Sequence, residues 1–332
     1  MSVQITIIGL GQVGSSIGLA LAGQKSIKRI GHDKNYETAR LALKTGAVDE
    51  VKINLPASGR EANVVILSIP FSEMHSTLKH ISQDLPEGTV VLDTVPSKVT
   101  VGAWINEFIP DGRYYVGLSP AAGAEYLHGI DLGVDSARAD LFKGGLFLLN
   151  APSGTPGEAV TLATDLVSLL GAQVMFTDPL EADGLMATTH LLPQLAGAAL
   201  IDATVSQPGW TEARKVAARP YAAVTAALAY HDESQSLGDA ALSNRENIIN
   251  ALDAYIASLR ELRDRIADGD QESVAGFLDR AVKAHDRWLH DRTKADWSQG
   301  QQEKMDSRTF GEKFNQMFFG GLFSRKKTDK DK

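Results

Sequence analysis

Residues 3 to 14 read Val3-Gln4-Ile5-Thr6-Ile7-Ile8-Gly9-Leu10-Gly11-Gln12-Val13-Gly14. The β-branched run predicts a strand, and the small and aliphatic residues from Ser16 to Ala22 predict a helix behind it. Between them the three glycines form a dinucleotide-binding turn. Gly9 suits the tight turn out of the strand, Gly11 lets bare backbone approach a pyrophosphate, and Gly14 lets the helix pack closely on the strand. Leu10, Gln12 and Val13 complete the turn, and the orphan N–H groups of the helix N-terminus favour negative charge there.

A second strand, Ile27 to His32, ends at Asp33, where an acidic side chain accepts hydrogen bonds from ribose hydroxyls. The cofactor read from this pair is NAD rather than NADP. Lys34 is available for a 2′-phosphate, but the neighbouring carboxylate repels one at close range. The alternative for Asp33 is an ordinary solvated turn residue.

The chain has 332 residues, 43% hydrophobic and 22% charged, an ordinary composition for two domains. A formal net charge of −8 speaks against a nucleic-acid partner, which calls for clustered Lys and Arg. The absence of cysteine excludes disulfides, thiolate nucleophiles and Cys-ligated metals. No apolar run reads as a membrane span, and Met1 leads into a strand rather than a signal segment, so the expectation is a cytoplasmic protein. Near the end, Phe314 to Phe323 is apolar and aromatic and Ser324-Arg325-Lys326-Lys327 is basic. That tail reads either as a docked helix with a frayed end or as a contact for an anionic membrane surface.

Helical runs at 36–45, 71–83 and 158–170 alternate with apolar strands at 62–69, 90–93, 114–117, 146–149 and 173–176. Near-continuous apolar strands between helices predict an α/β fold, a doubly wound parallel-sheet Rossmann domain over residues 1–178. From Pro179 the strand signal disappears, and helical spacing in 180–205, 211–229, 243–267 and 271–288 predicts an all-helical domain over 179–297. A partly disordered tail, 298–332, follows. The helical domain is expected to close a cleft over the cofactor and to form a homodimer.

Doubly wound sheets bind ligands outside the carboxyl ends of their strands. Three loops follow such ends: Ser68-Ile69-Pro70 beside the cofactor, Asp93-Thr94-Val95-Pro96-Ser97-Lys98, and Gly117-Leu118-Ser119-Pro120-Ala121-Ala122-Gly123, whose small residues leave room near the nicotinamide.

Together with the glycine turn, these loops resemble the prephenate and arogenate dehydrogenase family over roughly residues 3 to 265. That family makes the tyrosine precursor by NAD(P)-dependent oxidative decarboxylation. Asp93 and Lys98 match the ends of its Asp-x-Gly-Ser-x-Lys, and Val116 to Gly123 matches its Val-Gly-x-His-Pro-x-x-Gly. Asp183 with Leu191-Leu192-Pro193-Gln194 is similar to its Asp…Ser-His-Leu-Pro-His helix, Arg214-Lys215-Val216-Ala217 to its Thr-Arg-Ile-Ala, and Asn244 to Asn247 to its Asn-x-x-Asn.

The departures fall on the chemistry. The family's catalytic histidine, which takes the ring hydroxyl's proton, falls at Ser119, and an unassisted serine is no base at neutral pH. Its serine partner falls at Pro96, with Ser97 one residue away, and both helix histidines are lost, at Leu191 and Gln194. His190 is offset by one residue, about 100° around a helix.

The resemblance implies Ser119, His190, Ser97 and Lys98 as the catalytic group and Arg214, Lys215 and Gln194 as the substrate-binding group. Three readings of His190 stay open: the missing base, an orienter of a substrate carboxylate, or a structural helix residue. Arg214 reads as a carboxylate clamp or a solvated charge, with Lys215 and Arg219 as rivals. His75 and His80 read as surface residues, Trp210, Trp288 and Trp297 as core or dimer contacts. His231-Asp232-Glu233 reads as a solvated loop rather than a metal site.

The expected reaction moves a hydride from a carbinol carbon to nicotinamide, with loss of carbon dioxide if the substrate is prephenate. Ser119 would donate a hydrogen bond or hold a water, and His190 or a water chain would take the proton. Two other readings keep the fold: a dehydrogenase or reductase for another small hydroxy acid, imine or ketone, or a non-catalytic NAD sensor.

Overall fold

In the computed structural model, which describes residues 2–129, 131–230, 234–295 and 297, the first βαβ unit is β1 (Val3–Ile8), α1 (Gln12–Ala20) and β2 (Ile27–His32). The chain continues through α2 (Tyr36–Lys44), β3 (Glu50–Val51), α3 (Leu55–Gly59), β4 (Val64–Leu67), α4 (Phe71–Ile81), β5 (Val90–Asp93) and α5 (Lys98–Phe108). After β6 (Tyr114–Ala121) come β7 (Leu146–Asn150), α6 (Gly157–Leu169) and β8 (Gln173–Phe176). The strands form one sheet in the order β3-β2-β1-β4-β5-β6-β7-β8. The order reverses between β1 and β4, which makes their carboxyl ends the switch point where such sheets bind ligands.

Both faces are covered, so β4 and β5 are buried along their whole length and show no polar alternation. On one face Ile5, Ile7, Val116 and Phe147 pack with Ile17 of α1 and Leu162 and Leu166 of α6. On the other, Ile8, Leu67, Val91 and Tyr115 pack with Phe71 and Met74 of α4 and Val101 of α5. Ala187, Leu191, Leu237 and Ile248 of the helical half join that second core, so the two halves share buried surface.

The sheet is parallel except between β6 and β7. Residues expected to form a loop after Gly117 are strand as far as Ala121, because β7 runs back alongside them. β5 pairs with β6 only up to Gly117, so beyond that point β6 has β7 alone beside it. Pro120, which has no N–H to donate, lies in that one-sided stretch. The two-residue β3 and the five-residue α3 are too short for periodicity to mark.

The helical half opens with Asp178, whose side chain accepts from Glu181 N ahead of α7 (Pro179–Met186). A π turn, Ala187–Leu191, joins α7 to α8 (Leu192–Val205). Pro193 sits in the first turn of α8 and supplies no N–H, which accounts for the widened turn before it. The expected helix over 211–229 is instead α9 (Trp210–Ala213) and α10 (Arg219–Thr225), followed by a 3₁₀ turn, Ala226–Tyr230. Pro220 sits in the first turn of α10, where its missing N–H costs no helix bond, and the N-cap Ala218 is extended. α11 (Ser234–Ser243), α12 (Arg245–Ala267) and α13 (Gln271–Lys294) complete it.

Within the helical stretch Pro179–Val205, 27 residues, an 18-residue window reaches a mean hydropathy of 1.2 with 22% of it buried, long and apolar enough by composition alone to cross a membrane, which is weak evidence for a span. The tail at 298–332 and the His231–Glu233 stretch lie outside the described residues.

Candidate active site

A cleft of about 1110 Å³ opens at the switch point, lined by Gly9, Gly11, Asp33, Ser68, Ile69 and Pro70 among others. The other four turn residues contribute differently. Leu10 is buried and offers its backbone, Gln12 Nε2 donates to Asp131 O at 3.0 Å, Val13 packs against the core, and Gly14 lies beneath the turn.

The glycines are fixed by what a Cβ would strike. At Gly9, where φ is +91°, it would lie 2.1 Å from Ser68 O, and at Gly14 it would lie 2.0 Å from Gly9 O. At Gly11 it would meet nothing within 4 Å. Gly11 is also the N-cap of α1 and makes no side-chain cap bond, so the first N–H groups of α1 are left for a ligand. That open cradle fits a pyrophosphate.

Asp33 holds the other side. Its Oδ2 accepts from Leu10 N and its Oδ1 from Asn35 N, both at 2.8 Å, which fixes the carboxylate between β2 and the glycine turn. A carboxylate has about four acceptor positions, so two remain for ribose hydroxyls. Lys34 pairs with Glu73, and Arg40 with Glu37 at 2.6 Å, so both cations beside Asp33 have carboxylate partners. Gly133, Val134 and Asp135 also line the cleft. They belong to the β6–β7 connection, which crosses to α1 where Arg138 N donates to Ser16 Oγ at 3.0 Å. Sequence reading missed this strap because it has no periodicity.

Next along the carboxyl edge is a closed polar cluster. Lys98 is fully buried, and its Nζ donates to Asp93 Oδ1 at 2.5 Å and to Leu118 O at 2.6 Å. Tyr115 donates its hydroxyl proton to Asp93 Oδ2 at 2.6 Å. Burial lowers the Lys98 ammonium's pKa against the pull of Asp93, and burial, then the Asp93 charge, pushes the Tyr115 phenol well up. Lys98, expected in the catalytic group, is thus enclosed. It fixes the backbone next to Ser119 rather than facing the cleft.

Ser97 is also buried, and its Oγ accepts from Ser243 Oγ at 3.0 Å, tying α5 to α11. The N-terminus of α5 is capped from the helical half, since Asp183 accepts from Lys98 N at 2.5 Å and Val99 N at 3.2 Å. Burial raises the Asp183 carboxyl against those two bonds. Asn244 Nδ2 donates to Asp183 O at 2.7 Å, and Asn247 Nδ2 to Asn244 Oδ1 at 2.8 Å. These matched motif positions form a joint between the two halves.

Ser119 stands on β6 opposite Leu148, 2% exposed, and its Oγ has no partner. Gln194 is 1% exposed; its Nε2 donates to His190 O at 2.8 Å and its Oε1 has no partner. His190 is half-buried in the π turn, a feature that recurs at functional sites. Arg214, Lys215 and Arg219 are exposed, Lys215 pairs with Glu212 at 2.6 Å, and none of the three lines the cleft.

Asn150 went unnoticed in the sequence. It ends the apolar strand β7 opposite Gly117, is 1% exposed, and both atoms of its carboxamide lack partners. A Cβ at Gly117 would lie 2.5 Å from Asn150 Oδ1 and 2.8 Å from the Tyr115 hydroxyl, which is why residue 117 has no side chain. The lesser histidines and tryptophans are peripheral. His75 packs edge-on against Trp104 and Phe108, His80 is exposed, Trp210 lies against Tyr221, Trp288 is exposed, and Trp297 lies under Arg292. Among the described residues no cluster of His, Asp and Glu could hold a metal.

Comparison with known proteins agrees with this geometry. Residues 17–176 match the model of the prephenate dehydrogenase nucleotide-binding domain, and residues 178–280 match that of the prephenate dehydrogenase dimerization domain. The chain is 25% identical over 285 residues to prephenate dehydrogenase of Bacillus subtilis, spanning 85% of this chain and 75% of that protein. It is 25% identical over 283 residues to cyclohexadienyl dehydrogenase of Zymomonas mobilis, spanning 84% and 94%. The crystal structure of A. aeolicus prephenate dehydrogenase in complex with hydroxyphenyl propionate and NAD+ superposes with a TM-score of 0.75 at 22% identity, covering 87% of this chain and 99% of that one. With both of its halves matched in order and a dinucleotide cleft where the first should carry one, the chain belongs to the prephenate dehydrogenase family of NAD(P)-dependent dehydrogenases.

Proposed function

We propose that the protein oxidises a ring hydroxy acid of the prephenate or arogenate class, with NAD as acceptor and loss of carbon dioxide, in tyrosine biosynthesis. One observation carries the reading. The chain has an open-sided glycine turn beside Asp33 and, further along the same sheet edge, a buried Ser119 hydroxyl with no partner where the family has its histidine.

The residues divide as follows. Gly9, Gly11 and the first N–H groups of α1 hold the pyrophosphate, Asp33 holds the ribose, and Ser68 to Pro70 lie alongside. The nicotinamide supplies hydride acceptance when bound. Ser119 donates to the substrate hydroxyl or holds a water against it, and His190 takes the proton from the helical side, directly or through that water. Lys98 and Ser97 position the β6 backbone and α5 rather than touching substrate. Arg214 clamps a substrate carboxylate, with Lys215 and Gln194 as further donors. Because Arg214 and Lys215 are exposed on one chain, that role requires domain closure or a second copy.

The second copy has support. The matched helical domain is described as a dimerization domain. Val205, Val224, Leu259, Ile266 and Leu278 stand 46%, 55%, 47%, 60% and 49% exposed on α8, α10, α12 and α13. We read this surface, and the apolar helix Pro179–Val205, as one that pairs with a homodimer partner rather than with lipid, in a cytoplasmic enzyme.

Mixing purified protein, NAD and prephenate or arogenate and following absorbance of the reduced cofactor tests the reading. Turnover of either supports it, and no turnover of both removes it. Ser119, Leu191 and Gln194 at the three histidine positions favour, as a second reading, a dehydrogenase or reductase for another small hydroxy acid, imine or ketone. A substrate panel with NADH and NADPH separates the two, and NAD binding without any turnover would indicate a sensor.

A further inference from the structure

Buried polar side chains are almost always hydrogen-bonded, so each exception calls for an explanation, a bound water or a ligand atom among them. Three residues with such unpaired atoms stand at neighbouring positions of one sheet edge: Ser119 on β6, Asn150 on β7, and Thr177 just past β8. The register aligns Ile8, Leu67, Asp93, Gly117 and Asn150 in one row across the carboxyl ends of the parallel strands. Thr177 continues the row, since its N–H donates to Leu149 O at 2.9 Å. Ser119 lies two residues beyond Gly117 and so on the same face of β6. It is diagonal to Asn150, with Cβ atoms about 7 Å apart in such pairs.

The chemistry of the gap selects its occupant. Asn150 offers donors and an acceptor, Ser119 offers one of each, and neither carries charge. The nearest cation, Lys98, is taken up by Asp93 and Leu118 O. An anion would find Asn150 Oδ1 repulsive and no free positive charge, whereas a hydroxyl both donates and accepts. Gly117 leaves room for the carboxamide itself, which lies over it, since a Cβ there would be 2.5 Å from Asn150 Oδ1.

We infer that Asn150, together with Ser119, forms a neutral subsite that holds the substrate's hydroxyl oxygen, and that the carboxamide of Asn150 fixes its orientation. This rests on the proposal that a hydroxyl-bearing ring acid is the substrate. The substrate's carboxylates bind elsewhere. A buried carboxamide left unpaired weakens the free fold, so the site gives up stability that an apolar residue would recover.

The test replaces Asn150 by leucine in the full chain and measures melting temperature, NAD affinity by calorimetry, and steady-state kinetics with prephenate and arogenate. Asn150→Leu is expected to melt at or above the wild type, to bind NAD unchanged, and to lower kcat/KM by about tenfold or more. Asn150→Asp, which keeps the shape and adds a titrating carboxylate beside the hydroxyl, is expected to add a rising limb to the pH profile of kcat. Wild-type kinetics in Asn150→Leu, or a lower melting temperature with unchanged kcat/KM, would overturn the subsite. If the wild type turns over neither acid, the ring-acid reading falls, and the subsite is judged by binding alone in the presence of NADH. A preference for hydroxyphenyl propionate over phenylpropionate that disappears in Asn150→Leu supports it, and equal wild-type binding of the two overturns it.

Discussion

The Lys98 ammonium lies 2.5 Å from the Asp93 carboxylate with neither side chain exposed, and the same ammonium donates to Leu118 O, one residue before Ser119. Removing one member of a buried pair leaves an uncompensated charge. Lys98→Met is therefore expected to destabilise the fold by about 3–5 kcal/mol, and Lys98→Met with Asp93→Asn to recover most of that loss. Denaturant titration of the wild type and the two variants checks this. Equal losses in the double and single variants would argue against the pair.

The three glycines should separate stability from binding. Gly14→Ala places a methyl 2.0 Å from Gly9 O and is expected to cost about 3 kcal/mol or more. Gly11→Ala meets open space at an ordinary φ of −68°, so it should leave stability of the free protein within about 0.5 kcal/mol while weakening NAD binding by about tenfold or more. Thermal melts with and without NAD distinguish the two outcomes.

Asp33→Asn removes the charge facing the ribose while retaining a side-chain oxygen for Leu10 N. NAD affinity is expected to fall, and the ratio of NADP to NAD affinity to rise by about tenfold, since the repulsion of a 2′-phosphate is gone. Calorimetry with both cofactors checks it.

Ser119→His places an imidazole at the position where the motif resemblance puts the family's base. It acts only when neutral, so activity should rise as pH increases through about 6.5 and level off above. At pH 8 a gain in kcat of about tenfold or more is expected. A flat profile with no gain would show that the proton leaves by another route.

Acid stability carries a smaller signature. The hydrogen bond from Lys28, then that from Lys52, holds the Glu50 carboxyl down to about 2, below its ordinary value of 4.5. A lowered acid contributes stability that is complete above about 4.5 and disappears as pH falls toward 2. These side chains are over a third exposed, so solvent screening keeps the contribution under about 1 kcal/mol. Glu50→Gln should flatten that part of the stability–pH curve.

The dinucleotide half was legible because each of its parts has a local signature. β1 is β-branched, Gly9, Gly11 and Gly14 are spaced for the turn, and Asp33 ends the next strand. The antiparallel β7 was less so, although the stretch after Ala121 contains no helical run, and a parallel return needs a crossover that usually is one. The enclosed pairing of Lys98 and the unpaired amide of Asn150 were not legible for a different reason. Whether a lysine five residues after an aspartate faces a cleft or closes on that aspartate is decided by the packing of β6 over both. An asparagine at the end of an apolar strand looks the same whether its amide is satisfied or not. Local pattern reports what a residue needs, and burial decides whether it obtains it.

The widened turn at Ala187–Leu191 bears on how this chain should be lined up with its kin. Its hydrogen bonds span five residues instead of four, so the turn takes up one residue more than the regular helix does. A single inserted residue absorbed there changes the numbering without swinging the faces of the segment beyond it. His190, one place out of step in an ungapped comparison, lies inside that absorbing coil, so its offset of one position is not by itself a rotation away from the ligand.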